Sequence, residues 1–347
     1  MISVCMIVKD EEENLKISLP SIIKYIKDII VVDTGSKDNT KYVARQFTNK
    51  VFDYEWNNNF SDARNYSLKF AENDWILILD ADEEIVEFDL KKVHSFISNN
   101  YENVGRIQIL NDIANEDLSI SKDYVSRLFR RDYYKYKGKI HEQLISIKNT
   151  NGKKIKLPII CKHVGYSSNS ILKNKKIERN LKILKEAIIE NPRDPYQYYQ
   201  LGKTYFLDKN YEKAIDSFVK SIEYENNFYY EYTEDLIECY GYSLINSGKY
   251  IEAKDILGYE KYYKTTDFIF LKGLILMNNA EFQLAAEAFL ECTSMGEGKL
   301  DGVNSYKAYY NIGIIFECLG LLEESKNFYL KCGNYDLAKQ ALKRIVN

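Results

Sequence analysis

The sequence lacks several features that would place it in a specialised class of proteins. No uninterrupted apolar run approaches the roughly 18 residues that a membrane-spanning helix needs. The N-terminal apolar segment ISVCMIV is too short for a secretory signal, and acidic residues follow it directly. With 48 basic against 51 acidic residues, the basic excess of a general nucleic-acid-binding protein is also missing. We therefore expect a cytoplasmic protein that neither spans a membrane nor binds nucleic acid.

Cysteine pairs and the common catalytic motifs are absent as well. The six cysteines form no C-x-x-C pair, so buried free thiols are expected rather than a zinc site or a disulfide framework. Without GxGxxG, GxxxxGK(S/T), HExxH or GxSxG, neither dinucleotide binding, P-loop, zinc-protease nor serine-hydrolase chemistry is indicated. In contrast, there are 30 tyrosines against four prolines. The tyrosines are concentrated in the C-terminal half, which indicates a repeat.

The first 165 residues alternate short apolar runs with amphipathic stretches. The runs ISVCMIV, IIVVD, VFDY and WILILD are typical of buried strands, because aliphatic residues cluster over a few positions and end in polar turns. The stretches between them carry apolar residues at helical spacing. Strand–helix–strand alternation predicts a mainly parallel sheet with helices on both faces. Further runs with few helices between them, such as YVSRLFRR, predict that the sheet becomes mixed.

The remainder of the sequence is helical and contains an internal repeat. Gly202, Gly241, Gly273 and Gly313 are separated by 39, 32 and 40 residues, and each is followed by apolar residues at tetratricopeptide-repeat offsets. Stacked repeats bury a continuous core and commonly bind peptides or proteins. We predict a domain over residues 1–170, a connecting helix over 171–192 and an all-α repeat domain over 193–347. The alternative role for the repeats is a scaffold, or a surface for a homodimer.

Acidic residues follow the apolar segment WILIL. Asp80, Asp82 and Glu83 lie in DADEE, at the C-terminal end of a predicted buried strand. In open α/β sheets this end faces the crevice where ligands bind. Paired carboxylates suit Mg²⁺ or Mn²⁺ and a diphosphate that shares the ion. A helix cap is the other interpretation of an Asp in such a loop.

Three further segments accompany this D-x-D pattern: VKDEEENL, DTGSKDNT and FSDARN. In order and spacing, the four segments resemble the family 2 glycosyltransferases of the GT-A fold, over about residues 1–165. The resemblance implies that the first two loops hold the base and ribose of a nucleotide, that DARN lies near the base and diphosphate, and that Asp82 binds the metal. The nucleotide-binding residues implied in this way are Val8, Lys9, Glu11, Asp33, Asp62, Arg64 and Asp80.

Two downstream segments, KGKIHEQL and CKHVGY, suggest a subgroup. Together with the repeats, they resemble bacterial peptide and protein glycosyltransferases, including those that modify glycosylated bacteriocins on Cys or Ser. The resemblance implies His163 as a second metal ligand, although a single His beside a strand is more commonly a core residue. Within the catalytic segment His141-Glu142, we expect Glu142 to be the general base, with Glu83 as the second candidate.

The predicted reaction is metal-dependent, inverting transfer from a nucleotide sugar, expected to be a UDP-sugar, to a peptide or protein. A carboxylate would take the proton from an acceptor hydroxyl, whose pKa is too high for unaided attack. The repeats would bind the acceptor chain. Two alternatives remain open: transfer to a lipid-linked or cell-surface glycan with the repeats as a docking scaffold, and a non-catalytic adaptor.

Overall fold

Branched aliphatic runs form the strands of a central sheet in the first part of the chain. In the computed structural model, which describes residues 1–112, 120–150, 152–163 and 170–346, eight strands follow the order β3-β2-β1-β4-β7-β6-β10-β5. Strands β1 to β4 are parallel, whereas β7 is antiparallel to β4 and β5 is antiparallel to β10. The predicted mixed, mainly parallel GT-A-like sheet is confirmed. Two further strands, β8 and β9, pair with each other in a separate sheet. The ten strands are β1 (Ile2–Val8), β2 (Asp28–Asp33), β3 (Val51–Asp53), β4 (Trp75–Ile78), β5 (Glu83–Phe88), β6 (Val104–Asp112), β7 (Ile120–Arg130), β8 (Tyr134–Lys137), β9 (Gln143–Ser146) and β10 (Lys154–His163).

Both faces of this sheet are covered, which explains why its strands are continuously apolar. Alternate residues of β1 enter two separate cores: Val4 and Met6 pack in one, and Cys5 packs in the other. The first core includes Leu19 of α1 and Phe96 of α4, whereas the other lies on the opposite face of β1. The helices and the 3-10 turn of this part are α1 (Glu12–Ile23), α2 (Thr40–Arg45), α3 (Phe60–Ser67), η1 (Leu68–Phe70) and α4 (Leu90–Asn99).

From Ser170 onward the described chain is helical, as its apolar spacing predicts. The elements are α5 (Ser170–Glu190), α6 (Pro195–Leu207), α7 (Tyr211–Tyr224), α8 (Glu231–Asn246), α9 (Tyr250–Ala253), η2 (Lys254–Tyr259), α10 (Thr266–Asn278), α11 (Phe282–Ser294), α12 (Tyr306–Cys318), α13 (Leu322–Lys331) and α14 (Asp336–Val346). The chain divides into two compact units, and the division falls within α5, between Ile183 and Leu184. None of the helices described is both long and apolar enough to cross a bilayer.

The recurring glycines lie where paired helices approach each other closely. A Cβ atom on Gly202 of α6 would lie 2.5 Å from the ring of Phe218 on α7, and one on Gly313 would meet Tyr329 in the same way. The absence of a side chain therefore lets an aromatic ring of the second helix pack directly on the first. The second repeat departs from this pattern, because its second helix is reduced to the four residues of α9 followed by a 3-10 segment that contains Gly258.

Five of the six cysteines are buried free thiols, as predicted, whereas the prediction of burial is wrong for Cys318. All six are free, and Cys318 alone among them is exposed. Burial raises the pKa of the Cys5 thiol to about 12, so this side chain is an unreactive part of the core at neutral pH.

Candidate active site

The turn after β2 contains a buried carboxylate with spare hydrogen-bonding capacity. Asp33 ends the strand, and its Oδ1 accepts hydrogen bonds of 2.9 Å from the backbone N–H groups of Gly35 and Ser36. Gly35 has φ +103°, a conformation that favours glycine. The Asp33 side chain is buried, and its Oδ2 has no hydrogen-bond partner among the described residues. This oxygen can accept a hydrogen bond from an N–H or O–H group of a ligand.

The loop after β1 is held against the loop after β2 by side chains from both. The backbone N–H of Lys37 donates to Asp10 Oδ1 at 2.7 Å, and the N–H of Glu11 donates to Thr40 Oγ1 at 2.8 Å. Asp10 itself has φ +55°, so the chain turns sharply at this point. Burial raises the pKa of Glu11, and the nearby charges of Asp82 and Asp80 act in the same direction. Glu11 is therefore close to the D-x-D segment.

Asp80 lies between two arginines. Arg64 Nη2 donates to Asp80 Oδ1 at 2.8 Å, and Arg127 Nη2 donates to Asp80 Oδ2 at 2.7 Å. Desolvation alone would raise the pKa of Asp80, but the charges of Arg127 and Arg64 hold it well below its usual value. Asp80 is thus an ionised, fixed carboxylate with 31 % of its side chain exposed.

Glu83 is turned inward beneath Asp80. Its Oε2 accepts a hydrogen bond of 2.9 Å from the backbone N–H of Asp80, and its Oε1 lies 3.2 Å from Arg127 Nη2. The side chain is only 2 % exposed, and its burial raises the pKa of Glu83 despite the opposing charge of Arg127. In this position Glu83 closes the turn between β4 and β5.

Asp82 and His163 form a separate pair at that turn, with 23 % and 38 % of their side chains exposed. His163 ends β10 and lies opposite Glu83 in the antiparallel register with β5. This register brings its Nε2 to 3.3 Å from Asp82 Oδ2. Among the described residues, no group of three His, Cys, Asp or Glu side chains is arranged to hold a metal ion. The predicted ligands Asp82 and His163 are therefore two neighbouring donors, a carboxylate and an imidazole.

Helix α3 brings Arg64 to Glu142. Asn65 exchanges two hydrogen bonds of 2.9 Å with the backbone of Tyr136, and Ser61 Oγ donates to Gly138 O at 2.6 Å. These bonds fix α3 on the segment that precedes Glu142. As a result, Arg64 Nε donates to Glu142 Oε1 while its Nη2 holds Asp80.

The remaining sequence-predicted residues occupy several distinct environments. Val8 is buried, and its carbonyl accepts from the backbone and hydroxyl of Thr34. Lys9 and Asp62 are exposed, and Asp62 accepts from Asn57 rather than joining the Arg64 cluster. His141 has φ +50°, a left-handed conformation that turns the chain immediately before Glu142.

Sequence reasoning missed Arg127. The residue lies in YVSRLFRR, on the same strand face as Phe129, which is fully buried. A charged residue on a covered strand face needs a partner, and this requirement is the signal in the sequence that could have identified it. Its partner Asp80 was already a candidate site residue.

Two family models match parts of this chain. Residues 3–149 match Glycosyl transferase family 2, and residues 198–228 and 306–332 match the tetratricopeptide repeat. A TPR repeat-containing protein of Synechococcus elongatus is 30 % identical over 209 residues, which are 58 % of this chain and 51 % of the relative. The chain thus spans about half the length of that relative.

Two named glycosyltransferases are also similar to this chain. The SPbeta prophage-derived glycosyltransferase SunS of Bacillus subtilis is 24 % identical over 327 residues, covering 88 % of this chain and 74 % of SunS. The UDP-Glc:alpha-D-GlcNAc-diphosphoundecaprenol beta-1,3-glucosyltransferase WfgD of Escherichia coli is 24 % identical over 238 residues, covering 60 % of this chain and 90 % of WfgD.

Proposed function

We propose that this chain, whose residues 3–149 match Glycosyl transferase family 2 and whose later residues match the tetratricopeptide repeat, transfers a sugar from a UDP-sugar to a Ser, Thr or Cys side chain of a peptide or protein. The observation that carries this proposal is the clustering of carboxylates, an imidazole and an arginine around the β4–β5 turn. Asp80, the Asp82–His163 pair and Glu142 are brought together by the β4–β5 turn and by Arg64. We assign these groups to donor binding, metal binding and proton transfer, respectively.

The donor nucleotide fits the two loops that follow β1 and β2. The free Oδ2 of buried Asp33 offers an acceptor to a base N–H or a ribose hydroxyl. Beside Asp80, Arg64 Nη1 and the Tyr136 hydroxyl are buried without a partner among the described residues. Such unsatisfied donors suit the oxygens of a diphosphate. The choice of UDP is supported by the E. coli relative, whose name gives UDP-Glc as its donor.

A divalent cation would be held by Asp82 and His163. Their donor set fits such an ion, because Mn²⁺ accepts both carboxylate and imidazole ligands and the pair lies partly exposed, open to further ligands from solvent or donor. When bound, the cation would supply neutralisation of the negative charge on the departing nucleotide. Asp80 contributes differently, since its two oxygens are already paired with arginines and are fixed in place to accept hydroxyl hydrogen bonds.

Glu142 is proposed to take the acceptor proton as the new glycosidic bond forms. Its Oε1 is paired with Arg64, so the carboxylate has a defined position, while Oε2 lies outside that ion pair. The Glu142 side chain is 11 % exposed, so part of the carboxylate remains open to an acceptor. An acceptor thiol would depend less on this base, because its pKa of about 8.5 leaves some thiolate at neutral pH.

The repeats are proposed to bind the acceptor chain. Helices α6 and α8 are the first helices of the first two repeats, and they carry a polar cluster. In this cluster Asp235 accepts hydrogen bonds from Tyr199 at 2.6 Å and from Lys203 at 2.8 Å. About a third of the Lys203 and Asp235 side chains is exposed, so both can contact a peptide. A lipid-linked glycan is the second candidate acceptor, favoured by the similarity to WfgD.

Truncation after Glu190 is expected to separate donor binding and hydrolysis from transfer to the acceptor. The shortened chain should still bind UDP and slowly hydrolyse the donor, since all proposed donor groups precede Gly165, but transfer to a peptide acceptor should be lost. The measurements are UDP titration calorimetry and kcat/KM for transfer, with circular dichroism as the control for folding. Unchanged kcat/KM would contradict acceptor binding by the repeats and would favour the glycan acceptor.

A further inference from the structure

We infer that Arg127 of β7 is a positioning residue of the donor site, which fixes Asp80 and thereby leaves Arg64 able to hold Glu142. This inference rests on the proposed function, because it assigns a role within the same site. No signature segment of the sequence contains Arg127. Its position follows from the antiparallel pairing of β7 with β4, the strand that leads into the D-x-D segment.

The contacts of Arg127 are to the two carboxylates of the β4–β5 turn. A single nitrogen, Nη2, lies 2.7 Å from Asp80 Oδ2 and 3.2 Å from Glu83 Oε1. The Arg127 side chain is 13 % exposed, so these charge-assisted hydrogen bonds are largely shielded from solvent. Arg127 and Arg64 therefore fix the orientation of the Asp80 carboxylate together, one on each oxygen.

Glu83 also holds Asp80 in place, through hydrogen bonds to the Asp80 backbone. Its backbone N–H donates to Asp80 O at 3.1 Å, and its Oε2 accepts from the Asp80 N–H at 2.9 Å. With both ends of the turn bound in this way and its carboxylate buried, Glu83 cannot reach an acceptor. We assign it to positioning of the turn, together with Arg127, rather than to proton transfer.

The five side chains form one continuous series of alternating charge. It runs Glu83, Arg127, Asp80, Arg64, Glu142, with each member hydrogen-bonded to the next. Arg64 is shared between Asp80 and Glu142, and this sharing is possible because Arg127 already satisfies the other oxygen of Asp80. Arg64 holds Glu142 through Nε and Asp80 through Nη2. Without Arg127, Asp80 can also draw Nη1 to itself, which would rotate the guanidinium and turn Nε away from Glu142. Donor binding and the position of Glu142 would then both suffer.

The test compares Arg127→Lys with the double variant Arg127→Met/Glu83→Gln. Lysine retains the charge but not the planar guanidinium, whereas the double variant avoids leaving Glu83 as an uncompensated buried acid. The matched control is Arg130→Met on the same strand. Arg130 lies outside the site and donates to Asp132 Oδ1, with a distance of 2.8 Å between the two atoms. The readouts are UDP affinity by calorimetry with MnCl₂, KM for the donor, KM for the acceptor, and kcat.

The double variant is expected to weaken UDP binding about 10-fold or more and to lower kcat/KM for the donor by about 10², with acceptor KM unchanged. Arg127→Lys should recover part of the loss, and Arg130→Met should resemble the unmodified chain. If the folded double variant keeps unchanged UDP affinity and donor KM, the inference is overturned. Failure of the unmodified chain to bind UDP is a different result, which would contradict the proposed function itself.

Discussion

Replacing Asp82 with alanine is expected to reduce sugar transfer by at least about 10³-fold, because the leaving diphosphate would lose the cation that this carboxylate is proposed to hold. UDP binding should lose its dependence on Mn²⁺ in the same variant. His163 alone leaves a single donor at the site, and a lone imidazole competes weakly for the ion. Transfer kinetics and UDP calorimetry with and without MnCl₂ measure both effects.

Glu87→Ala is the matched control for this substitution. Glu87 lies on the same strand as Glu83 but is exposed and outside the site. Far-UV circular dichroism should be unchanged in both variants. Full activity of Asp82→Ala, or undiminished activity of the unmodified chain in excess EDTA, would contradict the metal assignment to Asp82.

Glu142→Gln is expected to lower kcat for a hydroxyl acceptor by about 10² or more. Glutamine keeps the size of the side chain and an oxygen that can accept from Arg64, so donor affinity should be retained. The loss should therefore appear in turnover rather than in UDP binding. A Cys-containing acceptor should show a smaller loss, since its thiol ionises near neutral pH.

Glu83→Gln separates the two carboxylates that the sequence leaves as candidates. Its expected effect is on donor KM, because Glu83 supports the turn at Asp80. A loss of kcat without any change in donor affinity in Glu83→Gln, with little effect in Glu142→Gln, would reverse the two assignments.

Local patterns in the sequence predict most of the fold. Both faces of β1 are buried, so a continuous apolar run such as ISVCMIV is sufficient to identify a strand and the layers around it. Likewise, Gly202 and Gly313 mark close helix contacts because a side chain there would collide with an aromatic ring. The second repeat is the exception. Its Gly241 and Ala253 keep the repeat spacing, but α9, the helix that contains Ala253, has only four residues.

The candidate site is less predictable, because its groups are joined by strand order rather than by sequence neighbours. The D-x-D segment and the loops after β1 and β2 can be located from the sequence. The pairing of Arg127 with Asp80 depends on β7 lying beside β4, and this adjacency cannot be read from either strand alone. The contact between Arg64 and Glu142 similarly depends on α3 packing against the segment around Tyr136.

Release of nucleotide from a panel of nucleotide sugars tests the central claim most directly. The full chain is incubated with MnCl₂ and, in turn, with UDP-, GDP-, CDP- and dTDP-linked sugars, and the freed nucleotide is followed over time. We predict release from a UDP-sugar, stopped by EDTA and absent in Asp82→Ala. If the folded chain binds none of these donors and releases no nucleotide from any of them, it is not a glycosyltransferase of the kind proposed.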